Sequence, residues 1–304
     1  MKPLVSVIIP TYNRATTIGR TIESLLSQTY DNLDIIVVED GSHDETLQLL
    51  GDIKDQRLRV IRHEVNRGVT AAKNTGLNSI RGEWFTILDS DDEIVADAID
   101  VMMQIPLEKD PAVTAVTCNC IDTGTGAFSG KGLSSDQYLD FDTLMNVCTG
   151  EYWGLTKTEL LSSDRFNEQL NGYEGVLWNK INEKAKRFYI HKALRIYHTE
   201  GSDRVSKTSS SISKISNHYR ALSNELHYLE ILRKYSPGAF AKDCLRAVLY
   251  LVADKKKEAK FYYFYLKKTQ GNNLYKTISF FVYHSNAFIA KTLIKLLTAA
   301  KIVK

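Results

Sequence analysis

The first ninety residues alternate between two hydrophobic patterns. Continuous apolar runs rich in Val and Ile are followed by segments whose apolar residues recur every three or four positions. The first pattern is typical of strands buried on both faces, and the second is typical of amphipathic helices. The sequence predicts strands at 4–10, 33–40, 57–63 and 83–89, and helices at 16–28, 42–53 and 68–80. Such alternation indicates an α/β domain with a mostly parallel central sheet flanked by helices.

The last hundred residues carry helical periodicity only. The predicted helical segments are 209–235, 239–268 and 273–304, separated by Pro237-Gly238 and by Gly271 to Asn273. A chain of 304 residues has room for one domain of about 200 residues and an extension. We therefore predict an α/β domain over 1–205 and a helical C-terminal extension over 206–304.

Charge divides the chain at the same place. Residues 1–204 carry 21 Lys and Arg against 31 Asp and Glu, whereas residues 205–304 carry 18 against 5. A basic segment of this kind suits an anionic partner, either a membrane surface or nucleic acid. No nucleic-acid-binding motif is present, so nucleic acid is not expected as a partner.

Lysines interleaved with Phe280, Phe281 and Phe288 suit a helix that lies in a membrane interface. The alternative is a helical pack or dimer interface with a basic outer face, and the oligomeric state stays open. No run reaches about 18 uninterrupted apolar residues, so no membrane span is predicted. The N-terminus has no cleavage site for export, and the four cysteines lack zinc-site spacing. We expect a cytoplasmic protein with free thiols, associated peripherally with the inner face of the membrane if the interfacial interpretation holds.

Ligands of parallel sheets bind at the carboxyl ends of the strands. The first strand ends in Pro10-Thr11-Tyr12-Asn13, without the glycines that a dinucleotide fold places there. The second strand ends in Glu39-Asp40, and the fourth ends in Asp89-Ser90-Asp91-Asp92. Clustered carboxylates repel one another unless a cation or hydrogen-bond donors accompany them. Asp92 alone could equally be a helix N-cap, but the cluster as a whole predicts a site for Mn²⁺ or Mg²⁺ that bridges to a diphosphate.

Four segments in order resemble the motifs of family 2 glycosyltransferases, inverting enzymes with the nucleotide-diphospho-sugar transferase (GT-A) fold. They are "VSVIIPTYNR", "IIVVEDGSHDET", "NRGVTAAKNTGL" and "RGEWFTILDSDDEI". The resemblance is strong over the first hundred residues and extends more weakly to about residue 205. It implies metal-dependent transfer of a sugar, with UDP the commonest carrier in the family and GDP or dTDP as alternatives. The acceptor would be a hydroxyl of a cell-surface polysaccharide or a lipid-linked glycan.

The resemblance also implies roles for individual side chains. The residues expected to contact the nucleotide are Pro10, Tyr12, Asp40, Arg67, Lys73, Asp89 and Ser90. The residues expected to hold the metal are Asp89, Asp91, Asp92 and His198, with Asp91 or Asp92 as the principal ligand. Arg204 is a further candidate for a phosphate contact.

The segment "NGYEGVLW" resembles the part of the family that supplies the general base. This chain departs from the pattern, because Gly175 stands where the family usually has the aspartate that acts as base. Glu174 is the only carboxylate between Leu170 and Lys180, so it is the predicted general base. The same departure leaves a non-catalytic nucleotide-sugar binding module as the alternative function. A D-x-D phosphatase is disfavoured, because its motif follows the first strand rather than the fourth.

Overall fold

The protein is described by a computed structural model that covers residues 2–170, 172–199, 212–252, 256–269 and 271–285, together with residues 289, 292 and 296. Contact analysis divides the chain into two compact units, Met1–Ser202 and Asp203–Lys304. Arg204 and Phe288 lie outside the described residues, as does most of the chain after residue 285.

A nine-stranded sheet forms the centre of the first unit. Its strands are β1 (Val5–Thr11), β2 (Leu33–Glu39), β3 (Leu58–Arg62), β4 (Trp84–Ile87), β5 (Glu93–Ile94), β6 (Ala115–Asp122), β7 (Gln137–Leu139), β8 (Tyr152–Lys157) and β9 (Arg187–Tyr197). The order along the sheet is β3-β2-β1-β4-β8-β6-β9-β5, and β7 pairs with β9. Strands β1 to β4 are mutually parallel, as are β6 and β9, while β8 is antiparallel to both of its neighbours. The predicted mostly parallel sheet is therefore confirmed.

Helices cover both faces of this sheet. They are α1 (Ile18–Leu26), α2 (Thr46–Asp52), α3 (Val69–Asn78), α4 (Ala98–Gln104), α5 (Phe141–Asn146) and α6 (Gly175–Asn182), with a π-helical turn at Ile105–Lys109 and a 3-10 turn at Thr158–Leu161. Successive side chains of a strand point to opposite faces. Accordingly Val7 and Ile9 of β1 belong to the apolar cluster that contains α1 and α4, whereas Ile8 belongs to the cluster that contains α3 and α6.

Strand β1 lies in the middle of the sheet and nevertheless contains Pro10. Its ladder with β2 runs the full length of β1, but its ladder with β4 ends at Ile8 opposite Ile87. Pro10 thus lies beyond the segment that needs hydrogen bonds on both sides, where a residue without an N–H is tolerated. The carboxyl ends of β1, β2 and β4 meet at one edge, which positions the predicted site residues there.

Element boundaries differ from the predicted ones by a few residues. Helix α2 begins at Thr46 rather than at residue 42, because Asp44 accepts hydrogen bonds from the backbone N–H and hydroxyl of Thr46 and from the N–H of Ala15. These bonds hold residues before α2 in a loop that touches the end of β1. Asp44 precedes the N-cap residue Glu45 and satisfies the N–H of the first residue of α2, as the side chain of a turn-forming aspartate does.

The second unit is helical, as predicted, but its segmentation differs. Its helices are α7 (Ile212–Leu222), α8 (Leu226–Tyr235), α9 (Pro237–Leu251), α10 (Lys256–Lys268) and α11 (Asn273–His284). The predicted segments 209–235 and 239–268 are each divided, whereas the predicted break near Pro237 is confirmed, since α8 ends at Tyr235 and Pro237 is the first residue of α9. Proline suits the first turn of a helix, where its missing N–H has no intrahelical partner to lose. Within the described part of the chain, no helix is both long enough and apolar enough to cross a membrane.

Candidate active site

A cavity of about 460 Å³ opens on the face of the sheet that carries α3 and α6. Strand ends contribute Asp89 and Arg195 to its wall, α3 contributes Lys73, and the start of α6 contributes Glu174 and Trp178. Trp178 stacks on Phe85 with ring centroids 6.3 Å apart. The cavity wall formed by Trp178 is therefore packed against the hydrophobic core between the sheet and helices α3 and α6. The cavity brings together the predicted general base, one predicted nucleotide-binding lysine and the first aspartate of the D-x-D cluster.

The three aspartates after β4 occupy different environments. The side chains of Asp89 and Asp91 are 47% and 38% exposed, whereas that of Asp92 is 1% exposed. Arg195 of β9 donates from Nη2 to Asp89 Oδ2 at 2.7 Å and from Nε to Asp92 Oδ2 at 2.8 Å. Asp92 Oδ1 accepts the backbone N–H of His198 at 2.9 Å. Donor groups of the protein thus offset much of the repulsion that the sequence predicts.

Burial and charge act in opposite directions on these groups. Desolvation raises the pKa of Asp89, but the positive charges of Arg195, Lys73 and Arg14 outweigh it, so the pKa of Asp89 lies below its ordinary value. Burial raises the pKa of Asp92 in spite of its contact with Arg195. The two carboxylates raise the pKa of Arg195 above the ordinary range, against the effect of burial, which lowers it. Arg195 therefore stays charged, and Asp89 is the carboxylate kept ionised at the cavity wall.

The predicted metal ligands are only partly brought together. Asp92 is occupied by Arg195, and the ring Nε2 of His198 lies 2.7 Å from Glu93 Oε1. Among the described residues, no three His, Cys, Asp or Glu side chains are arranged so that they could hold a metal ion. Asp92 and His198 thus each have a protein partner, as Asp89 does in Arg195, and metal binding by these residues stays a prediction.

Asp89 and Asp91 remain suitable for a hard cation. Their carboxylates are partly exposed, and Nη2 of Arg14 lies 4.0 Å from Oδ2 of Asp91. Magnesium is typically bound through one or two protein carboxylates, with substrate phosphates and water completing its coordination. The residues present fit an ion bound together with a diphosphate, and the metal itself stays a prediction.

Asp40 lies at the end of β2 and is almost fully buried. Its Oδ1 accepts the N–H of Arg67 at 2.9 Å and lies 2.6 Å from Nδ1 of His63, while its Oδ2 accepts the N–H of Gly68 at 2.8 Å. The other ring nitrogen of His63 lies 2.9 Å from the hydroxyl of Thr75 on α3. Asp40 thus fixes the loop that enters α3, in addition to its predicted contact with the nucleotide.

The other predicted nucleotide residues lie along the same edge of the sheet. Tyr12 is 38% exposed and meets the ring of His43 edge to face at 6.4 Å, so its ring has an accessible surface. Arg67 is exposed, whereas Pro10 and Ser90 are buried. The backbone carbonyl of Ser90 accepts the hydroxyl of Thr17 at 3.0 Å. Contact with a nucleotide stays a prediction for all four.

Lys73 connects α3 to the start of α6 across the cavity wall. Its side chain is 9% exposed, and its ammonium donates a short hydrogen bond to Oε1 of Glu174, whose side chain is 39% exposed. Glu174 immediately precedes the first residue of α6, which places its carboxylate at the helix N-terminus. A carboxylate there interacts favourably with the helix dipole. The hydrogen bond from Lys73 and the N-terminus of α6 therefore both favour the position of the Glu174 carboxylate, which remains accessible from the cavity.

The neighbouring Asn74 anchors the segment that precedes Glu174. Its amide donates to the carbonyl of Phe166 at 2.9 Å and to Glu168 Oε1 at 3.0 Å, and its oxygen accepts the N–H of Phe166 at 2.9 Å. Helix α3 thus holds residues 166–174 through two consecutive polar residues, Lys73 and Asn74. Sequence reasoning missed Asn74, His63 and Arg195, because each acts on a partner more than twenty positions away.

Comparison with known proteins gives one family. The family model described as glycosyl transferase family 2 matches residues 6–157. The chain is 36% identical over 239 residues to the GalNAc(5)-diNAcBac-PP-undecaprenol beta-1,3-glucosyltransferase of Campylobacter jejuni, over 76% of this chain and 74% of that protein. It is 43% identical over 96 residues to the UDP-Glc:alpha-D-GlcNAc-diphosphoundecaprenol beta-1,3-glucosyltransferase WfaP of Escherichia coli, over 32% of this chain and 38% of WfaP.

The fold is shared with a solved structure. TarS residues 1–349 from S. aureus, in complex with UDP-GlcNAc, superposes with a TM-score of 0.67 at 18% identity over 91% of each chain. This similarity establishes the GT-A architecture, including helices after the α/β domain. Because the family model spans half of the chain and the Campylobacter relative aligns over most of both sequences, the chain belongs to glycosyl transferase family 2 and is a glycosyltransferase.

Proposed function

We propose that this enzyme transfers a sugar from a UDP-sugar to a hydroxyl of a lipid-linked glycan or polysaccharide precursor, with inversion at the anomeric carbon. The observation that carries the proposal is the single cavity that holds Asp89, Lys73 and Glu174. The names of the Campylobacter relative and of WfaP specify acceptors linked to undecaprenol through a diphosphate, and WfaP is named for UDP-Glc. TarS binds UDP-GlcNAc. These relatives support the donor and acceptor classes proposed here.

In the proposed reaction the acceptor oxygen forms a bond to the anomeric carbon as the bond from that carbon to the diphosphate oxygen breaks. Glu174 accepts the proton of the attacking hydroxyl. Lys73 orients Glu174 through the hydrogen bond between them, and the same ammonium lies close enough to Asp89 to lower the pKa of that carboxyl. Lys73 and Arg195 line the cavity. Their positive charges would stabilise the negative charge that develops on the leaving diphosphate.

We propose Asp89 and Asp91 as the residues that hold Mn²⁺ or Mg²⁺. When bound, such a cation stabilises the charge of the departing diphosphate. Arg14 Nη2 lies 4.0 Å from Asp91 Oδ2, whereas Arg195 Nη2 lies 2.7 Å from Asp89 Oδ2, so the carboxylate of Asp91 is the more available of the two.

We further propose that the second unit binds an anionic membrane surface. Phe280 and Phe281 of α11 are 48% and 63% exposed, and they border a groove that also contains Lys267 and Lys276. Exposed aromatic residues next to lysines suit the headgroup region of a bilayer. Such binding would bring an acceptor anchored in the membrane to the enzyme.

Ligand-dependent thermal unfolding tests the donor and the metal together. We expect UDP with Mn²⁺ to raise the Tm more than GDP or dTDP does, and we expect EDTA to remove most of this rise. Asp91→Asn should lose the metal-dependent part, whereas Asp52→Asn on the exposed end of α2 serves as a matched control. Equal stabilisation by UDP in EDTA would exclude the metal. Binding of the donor without hydrolysis or transfer would favour the non-catalytic module, which the Gly175 departure makes the second candidate.

A further inference from the structure

Arg187 is a buried cation that the proposed reaction does not use. It begins β9, pairs in the sheet with Ala115 on one side and Leu139 on the other, and is 8% exposed. Its guanidinium donates to two neutral acceptors, the hydroxyl of Thr117 and Oδ1 of Asn182, the latter at 2.7 Å. Its buried Nε has no hydrogen-bond partner among the described residues.

Other arginines at the sheet are paired with carboxylates. Arg195 contacts Asp89 and Asp92, and Arg59 contacts Asp34 with Nε 2.7 Å from Oδ1. No carboxylate in the described part of the chain forms an ion pair with Arg187, and burial lowers its pKa from 12.5 to about 10. An uncompensated buried charge costs several kcal/mol. An anion bound at the cavity wall would offset this cost.

The surroundings of Arg187 favour tight pairing with an anion. Arg187 lines the same cavity as Glu174, next to apolar side chains that include Leu133, Leu139 and Cys148. A low local dielectric strengthens the attraction between opposite charges. Guanidinium also presents a planar fork of donors that matches both carboxylate and phosphate.

Distances along the elements separate this position from the reacting groups. Asn182, which contacts Arg187, is the last residue of α6, and Glu174 precedes its first residue. Eight residues of helix correspond to about 12 Å. Arg187 and Arg195 pair with Ala115 and Cys120 of β6, which are five residues or about 17 Å apart along that strand, because β9 is irregular after Ile190. An anion at Arg187 is therefore remote from the leaving diphosphate and from the attacking hydroxyl.

We propose that Arg187 forms a subsite for an anionic group of the acceptor, either a phosphate or a carboxylate, at a distance from the hydroxyl that reacts. Assignment of the anion to the acceptor rests on the proposed function, whereas the existence of the anion subsite does not. The enzyme would then prefer acceptors that carry a negative charge at this spacing over uncharged analogues of the same size.

Thermal unfolding of the full chain with saturating UDP and Mn²⁺ tests the subsite, because UDP then blocks the donor position. The probes are glucose 1-phosphate, glucuronate and uncharged glucose. We expect the wild type to be stabilised by one or both charged sugars and not by glucose, and the phosphate and carboxylate arms identify which anion fits. Arg187→Met should weaken this binding by at least about tenfold, which corresponds to 1.4 kcal/mol. Arg57→Met, whose arginine is paired with Asp55, should not weaken it.

Arg187→Lys keeps the charge but loses the fork, so its affinity should fall between those of wild type and Arg187→Met. This variant decides the matter if Arg187→Met does not fold. Equal stabilisation of wild type and Arg187→Lys by every probe, or no stabilisation of the wild type by either charged sugar, would overturn the subsite. If UDP itself gives no stabilisation, the proposed donor fails, but the comparison between Arg187 variants still reports on the subsite.

Discussion

The ammonium of Lys73 is hydrogen-bonded to the carboxylate of Glu174, 101 positions away in the sequence. Lys73 lies on α3, which follows the loop held by Asp40, and Glu174 lies at the start of α6. The contact therefore links the predicted nucleotide side of the site to the predicted general base. A change in one side is expected to alter the position of the other.

Replacing Lys73 with methionine removes this link and keeps most of the side-chain volume. We expect turnover to fall by roughly 10²-fold, because displacing a catalytic group by about 1 Å has an effect of that size. Steady-state kinetics of Lys73→Met should show the loss mainly in kcat, with a smaller loss of UDP affinity. Lys54→Met, at an exposed position after α2, is the control. Unchanged kcat would show that Glu174 needs no partner on α3.

Asp92 should be important for stability rather than for metal binding. Asp92→Asn leaves the buried guanidinium of Arg195 with only Asp89 as a charged partner, and loss of one member of a buried pair costs on the order of 3 kcal/mol. Urea unfolding should show this loss. The neighbouring Asp91→Asn should change the free energy of unfolding by less than about 0.5 kcal/mol, because its carboxylate is exposed. Equal effects of the two substitutions would contradict the different environments.

His218 of α7 predicts a pH dependence of stability. Burial lowers the pKa of His218 from 6.5 to about 4, so the folded state keeps the ring neutral where the unfolded state takes up a proton. The free energy of unfolding is therefore unaffected by this group above pH 6.5 and falls as the pH drops from 6.5 towards 4, because the unfolded state binds the proton first. The difference in stability between wild type and His218→Gln, measured from pH 7.5 to 4, should shrink or reverse as the pH falls. A difference that is constant with pH would contradict the assigned shift.

The membrane proposal predicts binding to vesicles that contain anionic lipid. Sedimentation of the wild type with such vesicles should exceed that with neutral vesicles and should decrease with salt, which screens the lysines. Replacing Phe280 and Phe281 with serine should remove most of the binding, whereas Leu226→Ser, at an exposed position of α8, should not. Equal sedimentation of all three proteins would contradict the proposal. Loss of a dimer in the double variant would instead support the dimer interface.

Local patterns predicted the elements of the first ninety residues, which hold four of the nine strands and three of the six α-helices described in the first unit. Buried strands such as β1 and β2 are recognisable from continuous runs rich in Val and Ile, since both of their faces are covered. The helical extension was predicted in kind, but the break between α7 and α8 was not, since residues 223–225 contain neither Gly nor Pro. Breaks of this type depend on how the helices pack against one another, and hydrophobic periodicity carries no information about that packing.

Of the charged residues at the cavity wall, the sequence predicted Asp89, Lys73 and Glu174 but not Arg195. Asp89 and Asp91 form a recognisable pattern because they are neighbours in sequence, whereas Arg195 is a single arginine in an ordinary strand. Its role depends on β5 pairing with β9, which brings residue 93 beside residue 196. Glu174 was found by its position before Leu177-Trp178, but its bond to Lys73 depends on α3 and α6 lying on one face of the sheet.

The most direct test of the account compares wild type with Glu174→Gln in two measurements on the same preparations. One measures UDP affinity in the presence of Mn²⁺, and the other measures turnover with a UDP-sugar and an undecaprenol-diphosphate-linked acceptor. Glu174→Gln keeps the side-chain size and an oxygen that can accept from Lys73, but it removes the negative charge and the ability to take a proton. We predict UDP affinity within about twofold of wild type and turnover lower by 10²-fold to 10⁴-fold, roughly the range for general base catalysis. Turnover equal to that of wild type would contradict Glu174 as the general base.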